Sequence, residues 1–138
     1  MSRFVLDCSV TMTWCFEDEV TPWTQSVLAA VTAQEAVVPS HWPLEVANVL
    51  AIAERQRRVT AAQITRFLAN LDGLPITIDD QTATRALGDV LMLARTHRLS
   101  AYDAAYLELA LRTGCPLASL DGPLNKAAAG LGIALFEG

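Results

Sequence analysis

Short apolar runs alternate along this chain with longer stretches in which apolar residues recur every three or four positions. The first run, Phe4-Val5-Leu6, stops at an acid, so residues 3–7 predict a short buried strand ending in Asp7. Ser9 is expected to cap a short helix carrying Trp14 and Phe16. Thr21-Pro22 predicts an N-cap with proline at the first helical position, and a helix to about Gln34. Val37-Val38 reads as a second strand that Pro39 stops. From about Pro43 to Arg58, Val46, Val49, Leu50 and Ala53 form a helical stripe. Thr60 and Gln63 have the spacing of a capping box. The helix they open carries Ile64, Phe67, Leu68 and Leu71, and Gly73 ends it. Residues 74–79 predict a third strand. Residues 82–97 predict one helix with Ala86, Leu87, Val90, Leu91 and Ala94 on a single face. Ser100 opens another, running to Arg112 or Thr113 before Gly114. Residues 116–120 predict a fourth strand, Asp121-Gly122-Pro123 a turn into a short helix, and residues 133–136 a fifth strand.

Strands alternating with helices or helix pairs predict an α/β fold, a parallel sheet covered by helices on both faces. No linker, repeat or low-complexity tract divides the 138 residues, so residues 1–138 are read as a single domain. A composition 52% hydrophobic and 18% charged argues against disorder. No run approaches the roughly 18 apolar residues of a membrane span, and the early acid is unlike a signal peptide. Cys8, Cys15 and Cys115 have no C-x-x-C spacing and read as reduced thiols of a cytoplasmic protein. A net charge of −5 argues against wholesale electrostatic capture of nucleic acid, though not against a local basic surface. Arg55, Arg57 and Arg58 cluster at one helix end, where cations favour the dipole and face water.

Candidate chemistry lies in four acids at four chain-turning points: Asp7, Glu45, Asp103 and Asp121. In parallel sheets, ligands bind beyond the carboxyl ends of the strands. Asp7 and Asp121 fall at strand ends, Glu45 and Asp103 in first turns of helices opening at the same edge. Each acid has an ordinary reading too. Asp7 suits a helix cap and Glu45 a helix dipole. Ser100-Ala-Tyr-Asp103 matches a capping box, and Asp121-Gly-Pro an ordinary turn. Together they suggest an acid pocket that a hard divalent cation neutralises. Ser9 would free Asp7 by capping in its place, Asn48 lies one turn from Glu45, and Ser119 stands two residues before Asp121. Asp18, Glu54, Asp72, Asp79, Asp80 and Asp89 are read as solvated, and His41 and His97 as surface or packing residues. Trp14, Trp23, Trp42, Phe16 and Phe67 are read mostly as core, some of them as candidates for a partner groove.

Four blocks carry a resemblance: Phe4-Val-Leu-Asp-Cys-Ser-Val10, Pro43-Leu-Glu-Val-Ala-Asn-Val-Leu50, Leu99-Ser-Ala-Tyr-Asp-Ala-Ala-Tyr-Leu107 and Ala118-Ser-Leu-Asp-Gly-Pro-Leu124. In this order they resemble the PIN domain, and more narrowly the VapC-type toxins of type II toxin–antitoxin systems. The resemblance implies a PIN-like three-layer α/β/α domain with a central, mostly parallel five-stranded sheet. It implies an endoribonuclease dependent on Mg²⁺ or Mn²⁺, with the acidic quartet on Asp7, Glu45, Asp103 and Asp121. Asp7 and Asp103 would hold the ion directly and Glu45 and Asp121 would complete the shell, with Ser9, Asn48 and Ser119 supporting them. Cys8 and Ser119 depart from the more usual Ala or Thr, and Thr, without removing a ligand. The implied partners are RNA, a VapB-like antitoxin lying across the site, and further copies of the chain. These would assemble as a homodimer, or as a heterotetramer or hetero-octamer with antitoxin.

Competing functions remain at this point. A phospho-acceptor receiver domain needs paired acids after the first strand and a lysine after the last, and neither is present. A PIN-like binding module without catalysis, a metal-dependent phosphatase, or a nuclease acting on DNA would carry the same acids.

Overall fold

In the computed structural model, which describes residues 2–138, the chain opens with β1 (Arg3–Leu6). Phe4, Val5 and Leu6 are all fully buried although neighbouring side chains point to opposite faces, so both faces of this strand are covered. β2 (Glu35–Val38) pairs parallel to β1, with Val5 opposite Val37. β3 (Ile76–Ile78) continues the sheet beside β2, with Thr77 opposite Val37. β4 (Leu117–Ala118) lies on the other side of β1, with Val5 opposite Leu117. The order β3-β2-β1-β4 makes a parallel α/β sheet of four strands, not the five expected. Residues 133–136 contribute only a bridge between Leu117 and Leu135, since their partner β4 spans just two residues and within it they exchange backbone bonds with Leu117 alone.

The helices flank this sheet. α1 (Cys8–Thr13) starts directly after β1; Trp14 and Phe16 lie just beyond it. A 3₁₀ turn at Glu17–Glu19 leads to α2 (Pro22–Ala33), where Thr21 and Thr24 cap each other. α2 packs against β2, and α1 against α3 (Trp42–Arg55). α4 (Ala61–Asp72) begins at the expected Thr60–Gln63 capping box. Its Phe67 is buried, but Leu68 is exposed. α5 (Thr82–Arg85) runs through a π turn at Ala86–Val90 into α6 (Leu91–His97). That turn corrects the single helical face expected here. One added residue per turn rotates the stripe, so Val90 and Leu93 are buried while Leu87 is 89% exposed.

α7 (Ala101–Thr113) packs against β1 and β4 and is buried along Ala104–Ala110. Its C-cap Gly114 has φ +69°, a conformation that favours glycine. α8 (Gly122–Gly130) follows β4 and packs on α7. Asp79, expected in solvent, is a second correction. It sits just past β3 and receives a two-pronged bond from Arg112, at 3.1 and 2.7 Å. Arg112 also bonds buried Glu108 at 2.8 Å. Burial raises the Asp79 carboxyl, but the bond to Arg112 and its charge outweigh that and hold it below the usual range. Among the described residues, no helix is long and apolar enough to cross a membrane. The three cysteines are unpaired.

Candidate metal centre

β1 delivers Asp7 to the carboxyl edge of the sheet. Its backbone N–H donates to Ala118 on β4 at 3.0 Å, which fixes the carboxylate at the junction of the two strands. Asp7 occupies the N-cap position of α1 without a side-chain cap bond. Ser9 does not cap the helix either, contrary to expectation, because α1 begins one residue before it. Its hydroxyl instead donates to Asp7 Oδ2 at 2.6 Å, and the Ser119 hydroxyl donates to the same oxygen at 2.7 Å. Each serine oxygen in turn accepts a backbone N–H from the turn after β4, Leu120 to Ser9 and Asp121 to Ser119, both at 3.0 Å. Two hydroxyls thereby lock Asp7 to the segment carrying Asp121. Ser9 and Ser119 thus both hold Asp7, by a route that capping patterns do not reveal.

The other acids arrive from helix starts. Asp121 is the N-cap of α8, with Oδ2 accepting from Leu124 N–H at 2.8 Å. Asp103 lies in the first turn of α7, and Ser100 alone takes the capping role, accepting from Asp103 N–H at 3.1 Å. The expected reciprocal capping box is absent there, so the Asp103 carboxylate is not consumed by it. Glu45, in the first turn of α3, accepts at Oε1 from the Tyr106 hydroxyl at 2.6 Å. Tyr106 stands one helical turn after Asp103 and is fully buried. Its hydroxyl also receives Cys8 N–H at 3.4 Å. Sequence reasoning missed this tyrosine. The available signal was that a buried Tyr needs a partner for its hydroxyl.

All four carboxylates line one crevice of about 470 Å³. Ser9, Cys8 and exposed Asn48 share its wall, as do Phe16 and Arg58. Arg58 does not simply face water, because its guanidinium lies 3.9 Å over the Phe16 ring and bonds Glu19 at 2.9 Å and Asp18 at 3.2 Å. Among the described residues no lysine or arginine pairs with any of the four acids. The basic group in contact with one of the acids is His41, whose Nε2 stands 3.3 Å from Glu45 Oε1 and whose pKa is lowered by burial.

Burial raises Asp7 above the usual carboxylate range, against the pull of its two serines, and the charges of Asp103 and Asp121 add to the rise. Burial likewise raises Asp103, with Asp121 adding to it. Glu45 is pushed up to about 7 by burial and by Asp7 and Asp103, although Tyr106 opposes this. The Cys8 thiol beside them is driven up to about 12, by burial first. These acids share a negative field that the chain does not offset.

The donor set fits a hard divalent cation. It consists of oxygens, and in Asp7, Glu45 and Asp121 the hydrogen bonds hold one carboxylate oxygen and leave its twin unengaged. As they stand, no three His, Cys, Asp or Glu side chains among the described residues are gathered closely enough to hold an ion.

A parallel α/β sheet with an acid-lined crevice at its carboxyl edge defines the class of protein. The sequence matches the PIN domain family over residues 4–130, and the chain belongs to that family. In fold it is similar to two crystal structures. One is PAE2754 from Pyrobaculum aerophilum, at 19% identity and TM-score 0.67, covering 91% of this chain and 84% of that one. The other is FitAcB from Neisseria gonorrhoeae, at 16% identity and TM-score 0.62, covering 96% of each chain. No curated protein matches it in sequence.

Proposed function

We propose that this chain is a VapC-type endoribonuclease, the toxin of a toxin–antitoxin pair, cutting RNA phosphodiesters at an acid site loaded with Mg²⁺ or Mn²⁺. The observation that carries this reading is the convergence of four carboxylates, from four separate segments, on a crevice with no arginine or lysine paired to them. In this reading Asp7 and Asp103 hold the ion, and Glu45 and Asp121 complete its shell directly or through water. When bound, the ion offsets charge on the phosphate and makes water a stronger nucleophile. The chain's own residues set the geometry. Ser9 and Ser119 fix Asp7, Tyr106 fixes Glu45, and the Leu124 N–H fixes Asp121. Residues 1–138 act as one unit in the cytoplasm. A VapB-like antitoxin covers the site, in a heterotetramer or hetero-octamer built on a homodimer.

The test is incubation of the purified chain with a labelled structured RNA and a matching single-stranded DNA, in Mg²⁺, Mn²⁺ or EDTA, beside Asp7→Asn. RNA cleavage that needs metal and is lost in a folded Asp7→Asn protein is the expected outcome. Full activity in that variant, or in EDTA, refutes the assignment. Equal cutting of DNA makes the chain a general nuclease, and binding of Mn²⁺ without cleavage of either strand makes it a binding module.

A further inference from the structure

Beside the acid crevice lies a second hollow, of about 400 Å³, lined by His41, Leu44, Glu45, Asn48 and Tyr102. It shares Glu45 and Asn48 with the crevice, so the two adjoin along one wall. Two pairs of sequence neighbours build this arrangement. On α3, Leu44 turns into the hollow and Glu45 lines both spaces. On α7, Tyr102 turns into the hollow and Asp103 into the crevice. Each helix turn thus presents one apolar side chain and one carboxylate at a fixed spacing. Leu44 is 74% exposed and Tyr102 64% exposed, so both offer free apolar surface at the hollow. The Tyr102 ring is not adrift, because it rests against His41 at a centroid distance of 5.5 Å. Exposed Asn48 adds an amide that both donates and accepts.

We infer that this hollow receives an unpaired nucleobase, stacked on Tyr102 and Leu44 and read at its edge by Asn48, while the adjoining phosphate lies in the acid crevice. The inference rests on the nuclease reading and deepens it by assigning a base-holding subsite to Tyr102, Leu44 and Asn48. An aromatic platform with a polar edge group is the arrangement by which proteins hold unstacked bases. A base within a duplex has no free face to offer. The shared wall of Glu45 and Asn48 favours a nucleotide over a protein side chain, since one nucleotide carries both an apolar face and an anionic group.

The test measures anisotropy of a labelled mixed-sequence hexaribonucleotide and of the same hexamer with abasic ribose throughout. Both are titrated with the full chain in Ca²⁺ on ice, with strand integrity checked on a gel. Wild type is expected to bind the base-bearing strand about tenfold more tightly than the abasic one. Tyr102→Ala should remove about tenfold of affinity for the base-bearing strand and leave the abasic strand unchanged, and Tyr102→Phe should restore it. Leu44→Ala should weaken the base-bearing strand in the same direction. If Tyr102→Ala and Leu44→Ala lower both strands equally, or neither, the base site is overturned while the nuclease reading stands. If wild type binds neither strand, the base site is overturned, and metal-dependent cleavage decides the nuclease reading separately. If Tyr102→Ala converts a dimer to monomer on size-exclusion chromatography with oligonucleotide affinity unchanged, the hollow is a protein interface and the inference fails.

Discussion

Glu45→Gln in protein stripped with EDTA tests the electrostatics of the crevice most directly. The glutamine keeps the shape and an acceptor for the Tyr106 hydroxyl but removes the titration. Glu45 rises from 4.5 to about 7 on folding. Because the folded value lies above the unfolded one, its protonation favours the fold fully below pH 4.5. That contribution is lost as pH climbs through about 7. At about 1.36 kcal/mol per pKa unit the loss reaches roughly 3 kcal/mol at pH 8. With the side chain 27% exposed, solvent screening trims it to about 2 kcal/mol. For a chain of this size that is roughly 6 to 8 °C in Tm. Asp7 and Asp103, also raised, act in the same sense. His41, lowered by burial, acts in the opposite sense, its neutral form gaining stability as pH rises toward 6.5. Comparing variant with wild type at each pH subtracts these other groups. Thermal unfolding followed by circular dichroism should show Glu45→Gln more stable than wild type by about 2 kcal/mol at pH 8. The gap should shrink below about 1 kcal/mol at pH 5. Mg²⁺ should raise the wild-type Tm more at pH 8 than at pH 5, since ligands must be deprotonated. Parallel Tm–pH curves for the two metal-free proteins would refute the account of the crevice as an uncompensated negative field.

Arg112→Met should cost about 3–5 kcal/mol in urea unfolding, because Asp79 and Glu108, whose side chains are 9% and 6% exposed, lose their common partner. Partial rescue by Asp79→Asn or Glu108→Gln is expected, and a loss under about 1 kcal/mol would contradict the network's burial. Ser119→Ala removes one of two donors to Asp7 Oδ2 and an acceptor for the Asp121 N–H. RNA cleavage should fall about tenfold, in kcat more than in KM, and an unchanged kcat would show that Ser9 alone positions Asp7.

The four acids were legible because each ends a strand or opens a helix, and in a parallel sheet those points share one edge. Thr60–Gln63 and Ser100–Gly114 were legible because capping is local chemistry. What escaped depends on contacts across the chain. Asp79 looks solvated by sequence, and only the fold brings Arg112 to it, 33 residues away. The π turn at Ala86–Val90 inserts a residue into a helical register, and no residue type there marks it. Ser9 matched the capping preference, but its hydroxyl found a better acceptor in the Asp7 carboxylate. Residues 133–136 had the composition of a strand, yet the two-residue β4 beside them offers only one bridge.

The bond between Ser119 and Asp7 spans 112 positions, and β1 completes its pairing only when β4 arrives. A ribosome delivers the chain from its N-terminus, so Asp7, Glu45 and Asp103 are all made before their last companion. Until synthesis passes residues 117–121, the crevice lacks a strand beside it, one of the two hydroxyls that hold Asp7, and its fourth acid. Non-local closure of this kind is a late and slow event in folding. An interrupted or nicked product missing its last twenty residues would carry three of the four acids and still be unable to assemble the pocket.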